Sequence, residues 1–174
     1  MRDDILFYEI QPFWRNRIAV IAFLLFNLYI ISGLIRQVFL GMPFGNNPMS
    51  DLGLIILTGC MLLLFGAIFS SKLQTVITEE GIYVRYFPFI FRTRFFAWEN
   101  IENAYIRKYS PLKEYGGWGV RFRLIRGGGT AYNVYGNIGL QLVLKNSNKL
   151  LIGTNRAEEL AEVLKKINDK REQK

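Results

Sequence analysis

The chain has 174 residues, with 22 Lys and Arg against 14 Asp and Glu, a net charge of +8, one Cys and no His. A single Cys excludes a disulfide framework within the chain and a Cys-based zinc site. The absence of His removes the commonest metal ligand and general base, and with them Ser-His and Cys-His nucleophile pairs. The composition therefore predicts no catalytic residue, no metal site and no cofactor.

Two uninterrupted apolar runs occupy residues 18–35 and 52–69, each 18 residues long and free of charge. A helix needs roughly 20 apolar residues to cross a bilayer core, and 17 is near the lower limit. Buried core helices normally carry a polar stripe, which both runs lack. A cleaved signal peptide has a shorter apolar core and no second run that returns the chain. Residues 1–70 are therefore predicted to form an N-terminal segment and a two-helix transmembrane hairpin.

The distribution of Lys and Arg predicts how this hairpin is oriented. Arg2, Arg15 and Arg17 precede the first run, whereas the linker at 36–51 contains only Arg36. Four cations follow the second run at Lys72, Arg85, Arg92 and Arg94. The positive-inside rule then places both termini in the cytoplasm and the linker outside, as in a multi-pass protein of a cell inner membrane.

Residues 71–174 contain 18 Lys and Arg against 10 Asp and Glu, so the whole charge excess of the chain lies after the hairpin. Short runs rich in β-branched and aromatic residues alternate there with Gly, Pro and Asn turns, which predicts strands. The predicted strands lie at 72–79, 82–87, 93–98, 104–109, 120–125, 130–135, 140–145 and 150–153. No connection is long enough for a parallel crossover, so all strands are expected to be antiparallel.

The C-terminal residues are predicted to form a helix with one apolar stripe, at spacings i, i+3, i+4 and i+7. The stripe consists of Leu160, Val163, Leu164 and Ile167. Asn155 is the predicted N-cap, with Glu158 completing a capping box. Seven to eight antiparallel strands followed by one helix predict a small open barrel that is plugged by the helix, a mainly-β domain covering 71–174.

Four segments resemble the bacterial pleckstrin-homology-like (PH-like) membrane proteins: VITEEGIYVRYFPF, FFAWENIENAYIRKY, EYGGWGVRF and LLIGTNRAEELAEVL. The EYGGWG loop and the downstream YNVYGNIGLQL segment are most similar to one such family, whose function is unknown. The resemblance implies a two-helix hairpin followed by a PH-like barrel of about seven strands and a capping helix. PH-like domains bind phosphoinositides, peptides or other proteins, and the fold alone does not choose among these. The acidic turn at Glu79 and Glu80 argues against an inositol-phosphate pocket.

The loop at 110–119 is the most distinctive short segment, because three glycines surround Trp118. Tyr115 and Trp118 are candidate contacts for lipid headgroups or a partner, unless they pack over the end of the barrel. Glu114 is expected to pair with Arg121 or Arg123, either as a structural salt bridge or as part of a ligand-binding contact.

Five cations are expected to gather on adjoining strands, where they would suit phosphate or acidic lipid, since guanidinium groups hold phosphate oxygens bidentately. They are Arg107, Lys108, Arg121, Arg123 and Arg126. The alternative is a solvated outer sheet face. Tyr132 and Tyr135 form either an aromatic wall of the site or part of the barrel filling.

Together these patterns favour a non-enzymatic binding or scaffolding module at the cytoplasmic membrane face. Its expected partners are anionic lipid, a membrane protein or another copy of the chain, because Gly59 and Gly66 would let apolar helices approach closely. The alternatives are an accessory subunit of a larger membrane complex and, less favoured, an enzyme acting on lipid headgroups. Nucleic-acid binding is not expected, because a membrane tether suits it poorly.

Overall fold

A computed structural model describes residues 4–122 and 129–172. It divides the chain into two compact units. The β unit comprises Met1–Arg15 and Ser71–Lys174, and the hairpin unit comprises Asn16–Ser70.

The hairpin unit consists of two apolar helices, as the sequence predicts. Helix α1 spans Arg17–Leu34 and continues through a π-helical turn at Ile35–Phe39, and α2 spans Asp51–Phe69. Both are long and apolar enough to cross a membrane. Each begins with a capped turn, because Asn16 Oδ1 accepts from the Ala19 amide (3.1 Å) and Ser50 Oγ from the Gly53 amide (3.2 Å).

Nine strands lie within the described part of the β unit. Their bounds are β1 Ile5–Pro12, β2 Lys72–Thr78, β3 Gly81–Phe87, β4 Arg94–Ala97, β5 Ile101–Lys108, β6 Gly119–Phe122, β7 Gly129–Asn133, β8 Ile138–Leu144 and β9 Lys149–Gly153. A short helix, α3, spans Pro111–Tyr115, and α4 spans Ala157–Glu172. The C-terminal helix and the predicted strands are therefore present, except that residues 123–125 of the strand predicted at 120–125 lie outside the described residues. The structure adds β1 and α3, which the sequence analysis did not predict.

The described strands form two sheets, and they do not close into a single barrel. One sheet has the order β1-β2-β3-β4, and the other has the order β5-β8-β9-β7-β6. The architecture is thus mainly β with added helices.

The expectation that all strands are antiparallel is wrong at one pair, because β7 and β9 are parallel. Strand β9 lies between β7 and β8, which run in opposite directions, so it must be parallel to one of them. Gly129 permits the close approach of β7 to β9, because a Cβ there would meet the carbonyl oxygen of Lys149.

Helix α4 buries its predicted apolar stripe and contacts both β1 and β5, one strand from each sheet. The predicted N-cap is wrong, since the helix begins at Ala157 and the Asn155 side chain donates instead to Gln11 Oε1 (2.9 Å). The tertiary contact with β1 takes the place of the local cap.

Candidate functional site

The outer face of the five-stranded sheet carries α3, which follows β5 directly. Ser110 caps this helix through the amide of Lys113 (3.4 Å), and Pro111 occupies its first turn. Gly116 ends it in the left-handed region, at φ 69°. The predicted loop at 110–119 therefore contains a helical turn that places Glu114 and Tyr115 against the sheet.

Arg107 and Glu114 form the central ion pair of this face, with Nη2 and Oε2 2.9 Å apart and each side chain 25% exposed. Glu114 Oε1 also accepts from the Ser110 amide (2.8 Å), and Arg107 Nε donates to Gln141 Oε1 (3.0 Å). Burial alone would lower the pKa of Arg107, but the hydrogen bond and charge of Glu114 outweigh it and raise that pKa above its usual value. The pair thus fastens α3 to β5 and β8.

A small aromatic core lies beneath this pair. Tyr109 and Tyr115 meet edge to face at 6.1 Å and pack with Ala131 and Leu151. Burial raises the pKa of Tyr109 to about 12. Tyr115 is therefore buried as a packing residue, which favours the packing alternative considered for its ring.

A depression of about 250 Å³ opens beside the Arg107–Glu114 pair. Its lining residues are Tyr105, Arg107, Glu114, Tyr115, Gly129, Gln141 and Lys149. Because the Arg107 charge is already balanced by Glu114, the depression offers fixed hydrogen-bonding groups and one exposed cation, Lys149.

The described members of the predicted basic cluster do not lie on adjoining strands. Arg107 on β5 and Arg121 on β6 lie on the two edge strands of the five-stranded sheet, with β8, β9 and β7 between them. Arg121 donates instead to the Trp118 carbonyl oxygen (3.0 Å), and Glu114 pairs with Arg107 rather than with Arg121. The other expected partner of Glu114, Arg123, lies outside the described residues. Lys108 is exposed and adjacent to Arg107 in the strand, so it points to the other face.

The remaining predicted residues are dispersed. Tyr132 is fully buried as part of the core, in agreement with the filling role considered for it. Tyr135 is half-buried and lines a different cavity, and Trp118 is half-buried immediately before the start of β6. Arg123 and Arg126 lie outside the described residues.

That second cavity, of about 500 Å³, lies where β1 meets the junction between β9 and α4. Glu9 is buried there and accepts from Thr154 Oγ1 (2.7 Å) and the Asn155 amide (2.9 Å). Gln11 donates to the Gly153 carbonyl oxygen (2.6 Å), and Arg156 donates to the Tyr8 carbonyl oxygen (2.7 Å). Sequence reasoning missed this group, and its only local signal is the pair Glu9 and Gln11 inside an apolar run.

Within residues 4–122 and 129–172, no three His, Cys, Asp or Glu side chains gather as a metal site would require. No protein-family model, curated protein or solved structure matches the chain.

Proposed function

We propose that this chain is a non-enzymatic binding module of the bacterial inner membrane. In this proposal the hairpin spans the bilayer, both termini are cytoplasmic, and the β unit is a PH-like domain. The outer face of its five-stranded sheet binds a segment of a membrane-protein partner. The observation that carries the proposal is the preformed depression beside the Arg107–Glu114 pair.

The surface of the hairpin unit supports membrane anchoring. Large apolar side chains along both helices are exposed, up to 75% for Ile18 and 78% for Leu63. Apolar surface of this extent is unfavourable in water and matches a hydrocarbon core. The polar groups inside the helices are satisfied locally, since Asn27 Nδ2 donates to the Phe23 carbonyl oxygen (2.9 Å) and Thr58 Oγ1 to that of Leu54 (2.8 Å).

The strand pairing supports a hairpin rather than a single crossing. Strand β1 precedes α1, β2 follows α2, and these two strands are antiparallel neighbours from Ile5–Thr78 to Pro12–Lys72. Paired strands must lie on the same side of a membrane, so the chain between them crosses an even number of times. The excess of Lys and Arg beyond residue 70 favours the cytoplasm as that side.

The character of the depression supports a protein partner. Glu114, Arg107 and Gln141 are held in place by one another, so a binding segment meets groups that are already ordered. Exposed Lys149 and Tyr105 flank these groups and add a cation and an aromatic ring. This combination suits a polypeptide segment with an acidic side chain.

Site-directed photo-crosslinking of the full chain in its own membranes tests the proposal. A photoreactive residue at Tyr105 should give a discrete adduct with a membrane protein or a second copy of the chain. Lys149→Glu should weaken that adduct, whereas Lys165→Glu, the same change on the exposed side of α4, should not. Equal adduct patterns from probes at Tyr105 and Lys165, or none from either, would contradict the proposal. Co-purification of the adduct partner at fixed stoichiometry would identify the chain as an accessory subunit.

A further inference from the structure

The outer face of the four-stranded sheet is aromatic and open. One row of paired residues crosses all four strands and consists of Tyr8, Val76, Tyr83 and Phe95. Tyr8 and Phe95 are exposed, and the rings of Tyr83 and Phe95 lie 4.5 Å apart. The part of the chain that the structure describes places no helix over this face comparable to α3 on the other sheet.

At one end of this face, two cations flank a shallow depression of about 190 Å³. Its lining residues are Lys72, Gln74, Arg85 and Phe87, and the guanidinium of Arg85 lies over the Phe87 ring at 5.6 Å. Among the described residues, neither Lys72 nor Arg85 has a carboxylate partner, and the buried Nε of Arg85 has no hydrogen-bond acceptor. These cations are therefore available to an external anion.

The turn between β3 and β4, residues 88–93, continues the same end of the face with exposed aromatic rings. Phe89 is 51% exposed and Phe91 is 69% exposed, and Arg92 follows them on the surface. The turn is ordered, because the Ile90 amide donates to the Tyr86 carbonyl oxygen (2.6 Å) and the Phe91 ring stands edge-on against Phe87 (5.8 Å). Two exposed rings held in this way are not filling a core.

The connections to the two apolar helices leave the four-stranded sheet at this same end. Lys72 pairs with both Pro12 and Phe87, and the Phe13 amide donates to the Ser71 carbonyl oxygen (2.8 Å). Helix α1 begins five residues after Pro12, and α2 ends three residues before Lys72. The end of the sheet that carries the two cations and the aromatic turn is thus the end from which the chain enters and leaves the apolar helices.

We propose that this surface, defined by Lys72, Arg85, Phe87, Phe89 and Phe91, docks on the anionic lipid headgroups of the leaflet that the hairpin enters. The inference rests on the proposed membrane hairpin. Aromatic rings are favoured at the headgroup level, guanidinium and ammonium groups bind lipid phosphates, and apolar helices begin a few residues away.

Spin-label depth measurements on the full chain in lipid vesicles test this inference. The background is Cys60→Ser, with a label at Phe91→Cys and a matched label at Glu80→Cys. Glu80 is exposed in the turn between β2 and β3, at the opposite end of β3 and about 20 Å away along the strand. With phosphatidylglycerol vesicles, the Phe91 label should collide several-fold more often with oxygen than the Glu80 label, and less often with a water-soluble nickel chelate.

Charge variants test whether the two cations, rather than the covalent link to the hairpin alone, hold the Phe91 label near the lipid headgroups. Lys72→Gln with Arg85→Gln should move the Phe91 label toward water in anionic vesicles. Lys165→Gln with Lys166→Gln, an equal loss of charge on exposed α4 positions, should leave the label where it is.

Three outcomes would overturn the inference, and one of them also removes the proposed function. Equal water exposure of the two labels, in protein that floats with the vesicles after carbonate washing, would leave the hairpin intact and refute the docking surface alone. If the Phe91 label lies equally deep in neutral and anionic vesicles, the proposal that this surface docks on anionic headgroups is refuted. Failure of the wild-type chain to float with vesicles would overturn both the hairpin and the docking.

Discussion

On the five-stranded sheet, the outer face is covered by α3, and Arg107 is bonded to Glu114, Gln141 and Tyr115. On the four-stranded sheet, the outer face carries aromatic rings in the open, and Lys72 and Arg85 have no acidic partner among the described residues. Each face has a Tyr two positions before an Arg on one strand, Tyr105 and Arg107 on β5 and Tyr83 and Arg85 on β3, so the two faces look alike in the sequence.

The difference lies in whether each cation is already paired. A guanidinium that is bonded to a fixed carboxylate stabilises the fold and offers little charge to a ligand. An unpaired cation beside exposed rings gains its partner only from outside the chain. We therefore infer that the two faces divide the work of the module, with a protein partner on one and the lipid surface on the other.

The largest expected effect on stability comes from a substitution that removes the hydrogen bonds between β1 of one sheet and the segment after β9 of the other. Glu9→Ala should lower the free energy of unfolding of the full chain in detergent by about 3 kcal/mol, because it leaves the hydroxyl of Thr154 and the amide of Asn155 without their buried acceptor. Urea unfolding measures this loss. Glu102→Ala, at an exposed position on β5, is the matched control and should change stability by less than about 0.5 kcal/mol. Equal effects of the two substitutions would refute the role assigned to Glu9.

The next effect is the pH dependence of stability that arises from Tyr109, which is buried beneath α3. Burial raises the pKa of Tyr109 to about 12 from 10.0, so the folded chain holds this proton more tightly than the unfolded chain. The stability from neutral Tyr109 is fully present below pH 10 and is lost as pH rises toward 12. The loss amounts to at most about 3 kcal/mol, because one pKa unit corresponds to about 1.4 kcal/mol.

Difference ultraviolet titration of the wild type against Tyr109→Phe measures this ionisation, which should have its midpoint near 12. The variant should also show a shallower fall in stability above pH 10. A midpoint at 10 would mean that the aromatic core beneath α3 is open to water.

The smallest expected effect is a difference in coupling free energy between the partly buried Arg107–Glu114 ion pair and an exposed ion pair. A double-mutant cycle of Arg107→Ala and Glu114→Ala should give a coupling free energy of about 1 kcal/mol, because both side chains are three-quarters buried and joined by two hydrogen bonds. The same cycle at Lys170 and Glu79, whose side chains are 70% and 58% exposed, should give no more than about 0.3 kcal/mol. Equal coupling at the two pairs would show that α3 does not shield the Arg107–Glu114 pair.

Local patterns in the sequence predict the two apolar helices, the positions of β2 to β9 and the stripe of α4. These features depend on short-range periodicity or composition, which a single sequence contains. Strand β1 was missed because its pattern is inverted, with Glu9 and Gln11 facing inward and Tyr8 and Ile10 facing outward. Only contacts with residues more than 140 positions away satisfy those buried polar groups.

The site was less predictable for a related reason. Adjacent positions of β5 and β6 in the chain suggested a joint basic cluster, but the insertion of β8, β9 and β7 between them separates Arg107 from Arg121. Strand order depends on the packing of the whole unit, so the partner of Glu114 could not be read from its neighbours in sequence. The open face of the four-stranded sheet was overlooked because its residues come from strands on both sides of the hairpin.

The central claim is that the apolar helices form a membrane hairpin that anchors the β unit on the cytoplasmic side. Single-cysteine labelling of the full chain in intact cells tests this claim most directly, in a Cys60→Ser background, with one Cys at Asn46 in the exposed linker and another at Glu80 in the β unit. A membrane-impermeant maleimide should label Asn46→Cys in intact cells, and Glu80→Cys only after permeabilisation. Labelling of both positions in intact cells, or of neither before permeabilisation, would contradict the hairpin and its orientation.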